Sequence, residues 1–155
     1  MQKEFKYRQI NSGTVEQVFP LLCPVREKDW IDGWKYRLIY SRSGLIEQDC
    51  VFATPHHGES ETIWYVTQHD PLHHFVEFVR HTPGETVVRI SIQLKRLPGN
   101  QTEAEITYLY TALSDEQADF IQNKLQENFI HSMQYWEQAI NYYMSTGQKL
   151  IKNQP

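Results

Sequence analysis

The sequence predicts an α+β fold in which a curved antiparallel sheet of seven strands closes around one long C-terminal helix and leaves an apolar pocket between them. Apolar and polar side chains alternate repeatedly from residue 35 to residue 113, a pattern typical of hairpin-linked strands. A helical pattern without Gly or Pro then runs from Ser114 as far as Gly147. Aromatic residues make up 13% of the chain, a high share for a globular protein, and the 155 residues fit one domain, residues 1–155.

The N-terminal segment predicts one strand followed by two short helices. Residues 4–10 alternate with the two-residue period of a strand. Thr14 lies three residues before Gln17, the spacing of a capping box, and apolar residues follow at helical spacing. Pro20 and Pro24 disfavour a continuous helix, so we expect the first helix to end near residue 22 and a second helical turn to follow over residues 27–30.

Six more strands account for the middle of the chain. Turn residues separate them, and they are expected over residues 35–40, 46–54, 62–69, 72–81, 85–97 and 102–113. The last strand alternates most clearly, which predicts a covered face formed by Ala104, Ile106, Tyr108, Tyr110 and Ala112.

The last helix is predicted as a single element over residues 114–144. Ser114 and Gln117 form a second capping box at its start. Its apolar stripe consists of Ala118, Ile121, Leu125, Phe129, Met133, Trp136, Ile140 and Tyr143. Asn128 and Ser132 fall inside this stripe, where they could bind a ligand or relieve crowding between helix and sheet.

A pocket is expected because a helix about 10 Å across does not fill the concave face of a twisted seven-stranded sheet. The aromatic excess either lines or plugs that space. The candidate residues for its wall are Trp34, Tyr36, Trp64, Phe78, Tyr108, Tyr110 and Trp136.

Five segments resemble a known superfamily. They are residues 14–22, 23–27 and 30–34, similar to the helix pair after the first strand in bacterial members, together with 43–47 and 50–54. With the order of elements, they are similar to the START-like, or Bet v 1-like, superfamily, also called SRPBCC, which includes polyketide cyclases and lipid carriers. The resemblance implies a helix-grip fold and binding of a hydrophobic small molecule, and it carries over no catalytic residue.

Composition argues against several other partners. The net charge is −4 and no Lys or Arg block occurs, so a nucleic-acid partner is not expected. No apolar run approaches the roughly 20 residues of a membrane span, and the N-terminus lacks the pattern of a signal peptide, so we predict a cytoplasmic protein without integral membrane association. Cys23 and Cys50 are expected to be buried thiols. A homodimer is compatible with the sequence.

No metal site and no cofactor are predicted. The chain has seven histidines, and the densest group is His56, His57, His69, His73 and His74. Adjacent histidines in a strand point to opposite faces, and no carboxylate or cysteine stands at metal-ligand spacing from them in the sequence.

Acid–base chemistry in the pocket would require a titratable side chain there, and the candidates are His74, Glu77, Arg80 and Tyr108. Strand alternation groups His74, Phe78 and Arg80 on one face, which we expect to be the inward face. Arg80 would then bind an anionic group of the ligand, unless it extends along the surface instead.

Three functions therefore stay open at this stage. The first is a binding protein for a hydrophobic small molecule that is aromatic or lipid-like. The second is an enzyme of the cyclase or dehydratase kind that uses the same pocket, with His74, Arg80 or Tyr108 moving protons. The third is a protein-interaction module with a filled core and an exposed apolar patch.

Overall fold

The structure is a computed structural model and describes residues 1–152. The strands are β1 (Gln2–Ser12), β2 (Arg37–Tyr40), β3 (Val51–Pro55), β4 (Glu61–Asp70), β5 (Phe75–Thr82), β6 (Thr86–Leu97) and β7 (Gln101–Ala112). The helices are α1 (Val15–Val18), α2 (Pro24–Trp30), α3 (Asp115–Asn123) and α4 (Leu125–Thr146), with a 3₁₀ turn at Phe19–Leu21.

All seven strands form one antiparallel sheet in the order β1-β7-β6-β5-β4-β3-β2. Strands β2 to β7 are therefore consecutive neighbours, and β1 pairs with the last strand. With α4 and the short N-terminal helices, this is the helix-grip fold that the sequence predicts.

Helix α1 begins where the sequence signal places it, whereas α2 begins at Pro24, three residues before the expected turn. The Thr14 hydroxyl accepts from the Gln17 backbone N–H at 3.2 Å, and the Gln17 side chain accepts from the Thr14 N–H at 2.9 Å, which completes the predicted capping box. Pro24 occupies the first turn of α2, where its missing N–H costs nothing. These two helices cover one end of the sheet.

The core lies between the concave face of the sheet and α4. Inward residues of β7 alternate as predicted, those of β5 and β6 also alternate, and Val76, Val88, Ile90, Ile106 and Ala104 are fully or almost fully buried. Phe129, Met133 and Ile140 of the predicted α4 stripe are buried against them. Cys23 and Cys50 are buried free thiols, as expected.

The prediction of one continuous C-terminal helix is wrong at Lys124. The backbone there leaves helical geometry (φ −131°, ψ −25°) and separates α3 from α4. The Lys3 ammonium donates to the Gln122 carbonyl at 3.3 Å, which satisfies one acceptor that the break leaves free. Two shorter helices follow the curved sheet where one straight helix would diverge from it, since α3 and α4 both pack on β1.

The third strand is shorter than predicted, because residues 46–50 are not in it. Glu47 accepts from the Ser41 hydroxyl at 2.9 Å and from the Ser43 N–H at 2.6 Å, which holds this stretch in a loop. Asp49 has a positive φ of 69°, incompatible with a strand, and pairing begins at Val51.

Two side chains of α4 hydrogen-bond to the edge of β1. Glu137 accepts from the Ile10 N–H at 2.7 Å and from the Tyr7 hydroxyl at 3.0 Å. Asn141 accepts from the Ser12 N–H at 2.9 Å and donates to the Ile10 carbonyl at 3.1 Å. Backbone groups that an edge strand would expose are thus paired with the helix.

None of the helices within residues 1–152 is long and apolar enough to cross a membrane.

Candidate functional site

A cavity of about 630 Å³, here called the large cavity, lies between the sheet and α4. Its wall is mostly apolar and aromatic. The predicted site residues that line it are Trp34, Trp64, Phe78, Arg80, Tyr108, Ser132 and Trp136. Further wall residues include Leu22, Phe52, Ile90, Ile92 and Met133. The aromatic side chains therefore line the space without filling it.

Four predicted site residues do not line the large cavity. Tyr36 packs on the edge of the core, and Tyr110 lines a neighbouring cavity described below. Asn128 is exposed because it lies beside the apolar stripe of α4 and not within it.

His74 is the clearest correction, because it is not in a strand. The Asp70 side chain accepts from the His73 N–H at 3.1 Å and holds a turn after β4. His74 ends that turn with a positive φ of 57°, and its ring packs edge-on against Phe19. The alternation of β5 therefore starts one residue later and brings only Phe78 and Arg80 to the cavity, so the expectation that His74 faces the pocket is wrong.

Arg80 lies among three aromatic rings. Its guanidinium carbon is 5.2 Å from the ring centre of Trp64, 5.6 Å from that of Tyr108 and 5.8 Å from that of Tyr110. The guanidinium donates to the Tyr110 hydroxyl at 3.1 Å. Within residues 1–152, no carboxylate lies within ion-pair distance of it. The Arg80 guanidinium thus lines the cavity, where its N–H groups can donate hydrogen bonds to a ligand.

Glu27 is a cavity residue that sequence reasoning missed. It lies on α2, one turn before Trp30 and Ile31, and this shared helical face next to two large apolar residues was the available signal. The side chain is buried and lines the large cavity. Burial raises the pKa of the Glu27 carboxyl to about 8, so the group is largely protonated at neutral pH.

Tyr108 supplies a hydrogen-bond donor at the cavity wall. Burial raises the pKa of its hydroxyl above the usual range of a phenol, and the positive charge of Arg80 only partly opposes this rise. The hydroxyl is therefore neutral. A carboxylic acid, a phenol and a guanidinium therefore lie among the apolar side chains that line the large cavity.

The mouth of the large cavity lies between α2, α4 and the segment 150–152. The Tyr135 hydroxyl connects them, since it accepts from the Asp32 N–H at 3.0 Å and donates to the Leu150 carbonyl at 3.0 Å. The Lys152 N–H donates to the Asp32 carboxylate at 3.0 Å. The exposed residues Ser132 and Gln138 complete the rim.

A smaller cavity of about 280 Å³, here called the small cavity, shares Trp64 and Arg80 with the large one. Polar side chains are frequent in its wall, including Thr62 and Thr82, whose hydroxyls are 2.8 Å apart. His56 and Glu85 also line it, and the His56 Nε2 is 2.7 Å from a Glu85 carboxylate oxygen.

The fold and the cavity define a helix-grip protein with a hydrophobic pocket. Solved structures share this fold at low sequence identity, which agrees with the helix-grip fold that the sequence predicts. No family model matches the chain, and no curated protein matches it in sequence.

Three structural neighbours illustrate the likeness. The aromatase/cyclase ZhuI from Streptomyces sp. R1128 has a TM-score of 0.69 at 9% identity, over 97% of this chain and 100% of that one. Norcoclaurine synthase from Thalictrum flavum, in complex with dopamine and hydroxybenzaldehyde, has a TM-score of 0.66 at 9% identity, over 93% and 87%. A hypothetical protein from Helicobacter pylori has a TM-score of 0.70 at 10% identity, over 91% and 87%. At these identities the likeness concerns the fold alone.

Proposed function

We propose that the chain binds a hydrophobic small molecule with an aromatic core and an anionic group in the large cavity. The proposal rests on the surroundings of Arg80. This cation lies at the wall of an aromatic cavity, and no carboxylate within residues 1–152 forms an ion pair with it. A cavity of about 630 Å³ is within the range of about 300–1,000 Å³ that is usual for small-molecule sites.

Each feature proposed for the ligand corresponds to a group of side chains in the wall of the large cavity. The rings of Trp34, Trp64 and Trp136 favour a flat apolar body. Arg80 favours a carboxylate or phenolate, because a charge-assisted hydrogen bond away from bulk water is stronger than one between neutral groups. Norcoclaurine synthase, which shares the fold, is in complex with two aromatic molecules, and this supports an aromatic ligand here.

A matched pair of probes tests the anionic group. We expect 2-naphthoate to quench the tryptophan fluorescence of the protein and to bind at least tenfold more tightly than the neutral 2-naphthamide. Arg80→Gln is expected to weaken naphthoate binding by about 10- to 100-fold, which corresponds to about 1.5–3 kcal/mol for a hydrogen bond to a charged group. The naphthamide affinity should stay within about twofold.

Arg89→Gln is the matched control, since Arg89 is an exposed arginine on the neighbouring strand β6. It should leave both affinities unchanged. Equal naphthoate binding by the wild type and Arg80→Gln would refute the role of Arg80. If neither probe binds, and native mass spectrometry of the purified protein detects no bound small molecule, the binding function itself is refuted.

A second candidate, an enzyme of the cyclase or dehydratase kind, is favoured by Glu27. A carboxyl with a pKa near 8 is suited to proton transfer near neutral pH, and it shares the cavity with Arg80. In such a reaction the ionised fraction of Glu27 would remove a proton from the carbon next to a ketone, and Arg80 would stabilise the enolate oxygen. Glu27 is thus the candidate for proton transfer in place of His74, which lies outside the large cavity.

Deuterium exchange of 2-tetralone in D₂O isolates this proton transfer. The wild type should accelerate exchange next to the ketone, and Glu27→Gln should return the rate to that of buffer. An unchanged rate in Glu27→Gln would remove the enzyme candidate without affecting the binding proposal.

The interaction-module alternative receives no support from the cavity, because it requires a filled core. A cytoplasmic location and a single domain stay predictions.

A further inference from the structure

Two loops that are far apart in sequence bring three metal-binding side chains together. His56 and His57 follow β3, and Glu85 lies in the turn between β5 and β6. One ligand atom from each side chain lies within 4.8 Å of the other two. His56 and Glu85 line the small cavity, and the wall of that cavity also includes Trp64 and Arg80 of the ligand site proposed above.

We infer that His56, His57 and Glu85 form a binding site for a divalent transition-metal ion, with Zn²⁺ as the ion that fits the ligands best. Two imidazoles and one carboxylate are a ligand set typical of zinc, whereas Mg²⁺ and Ca²⁺ prefer oxygen ligands alone. With three protein ligands, a fourth position is left for water.

The three side chains can reach the geometry of an ion site by a small separation of one pair and a rotation of the third ring. Ligand atoms about 2.0–2.2 Å from a tetrahedral ion are roughly 3.3 Å from one another. The His56 Nε2 and the Glu85 oxygen, now 2.7 Å apart, would separate by a few tenths of an ångström. His57 is exposed, and no hydrogen bond within residues 1–152 restrains its ring, so it can rotate towards the other two.

Backbone hydrogen bonds hold both loops in place. The His56 N–H donates to the Ser60 carbonyl at 3.0 Å, and the Ser60 N–H donates to the His57 carbonyl at 2.9 Å. The Glu85 N–H donates to the Thr82 carbonyl at 3.0 Å, and its own carbonyl accepts from the Leu113 N–H at 2.8 Å. The ligand backbones are therefore positioned before an ion binds, which lowers the entropy cost of binding.

Isothermal titration calorimetry with ZnCl₂, on the full chain prepared without a polyhistidine tag, tests the site. We expect one Zn²⁺ per chain and no binding of MgCl₂. Zinc at 100 times its Kd should raise Tm by about 5–10 °C, since an ion that binds only the folded chain stabilises it. CoCl₂ should produce the visible absorption of four-coordinate cobalt.

His57→Ala is the decisive variant, because it removes a ligand but leaves the His56–Glu85 pair intact. It should weaken Zn²⁺ binding at least tenfold and abolish the Tm shift. His73→Ala is the matched control, since His73 Nδ1 also lies 2.7 Å from a carboxylate, that of Asp70, but this pair is not part of the cluster.

Three results would overturn the inference. They are a wild-type chain that does not bind Zn²⁺, a His57→Ala chain that binds it as tightly as the wild type, and a His73→Ala chain that loses as much affinity as His57→Ala. None of these results depends on the proposed small-molecule function.

Discussion

Glu27 shows how far the surroundings of a single residue can depart from those its type prefers. A carboxyl on the surface would ionise near pH 4.5, but burial beside Trp30 and Ile31 raises its pKa to about 8. Within residues 1–152, no cation forms an ion pair with it. The folded chain therefore retains a proton that the unfolded chain releases.

This difference predicts how stability changes with pH. Between pH 4.5 and about pH 8 the folded state binds more protons at Glu27 than the unfolded state, so ionisation of this group lowers the free energy of unfolding as pH rises. The slope is at most about 1.4 kcal/mol per pH unit, and the loss levels off above the folded pKa. Urea unfolding at several pH values should show this loss in the wild type.

Glu27→Gln keeps the shape of the side chain and removes its titration. Its free energy of unfolding should exceed that of the wild type by a margin that grows with pH over the same window. Parallel pH profiles of the two chains would mean that Glu27 is not held with a raised pKa.

At the scale of elements, the pairing of α4 with β1 is specified by side chains. Asn141 hydrogen-bonds to the Ser12 N–H, the Ile10 carbonyl and the Asn11 side chain. Glu137 accepts from the Ile10 N–H one turn earlier. These bonds fix the position of the helix along the edge strand, whereas apolar packing alone would permit it to slide.

Asn141→Ala should therefore destabilise the fold by about 1–3 kcal/mol, because it leaves several backbone and side-chain groups without a protein partner. The measurement is the midpoint of urea unfolding. Asn128→Ala, at an exposed position of the same helix, should cost less than about 0.5 kcal/mol. Similar losses in the two variants would indicate that the Asn141 hydrogen bonds contribute little beyond general helix effects.

At the scale of the whole molecule, access to the large cavity depends on segments distant in sequence. Residues 31 and 150 form an isolated parallel bridge, and the Tyr135 hydroxyl joins the segments on both sides of it. The Lys152 ammonium lies 4.8 Å from the ring centre of Tyr135. A ligand that enters at this mouth must displace part of this arrangement.

Tyr135→Phe should accelerate both association and dissociation of 2-naphthoate several-fold and change its equilibrium affinity little. The hydroxyl hydrogen-bonds the segments at the mouth to each other and is not one of the groups assigned to ligand binding above, so its loss lowers the barrier to exchange. Stopped-flow tryptophan fluorescence measures both rates. Tyr142→Phe, an exposed tyrosine of α4, is the control. Unchanged rates in Tyr135→Phe would place the entrance elsewhere.

Local patterns predicted the elements well wherever the signal lay within a few neighbouring residues. The capping box of Thr14 and Gln17, the alternation of β7 and the apolar stripe of α4 depend on side chains close in sequence, and the structure contains each of them. The break at Lys124 and the turn at His74 were missed because tertiary packing determines the first and a hydrogen bond from the His73 N–H to the Asp70 side chain determines the second.

By itself, the sequence determined the order of the elements, the inward face of the last strand and the aromatic character of the cavity wall, because periodic burial leaves a periodic pattern. Only the tertiary structure decided which polar groups share a site. Glu27 and Arg80 line the same cavity, and Glu85 lies beside His56 and His57, although many residues separate them in the sequence. Such contacts depend on strand pairing and helix packing, which bring distant residues together and leave no fixed spacing in the sequence.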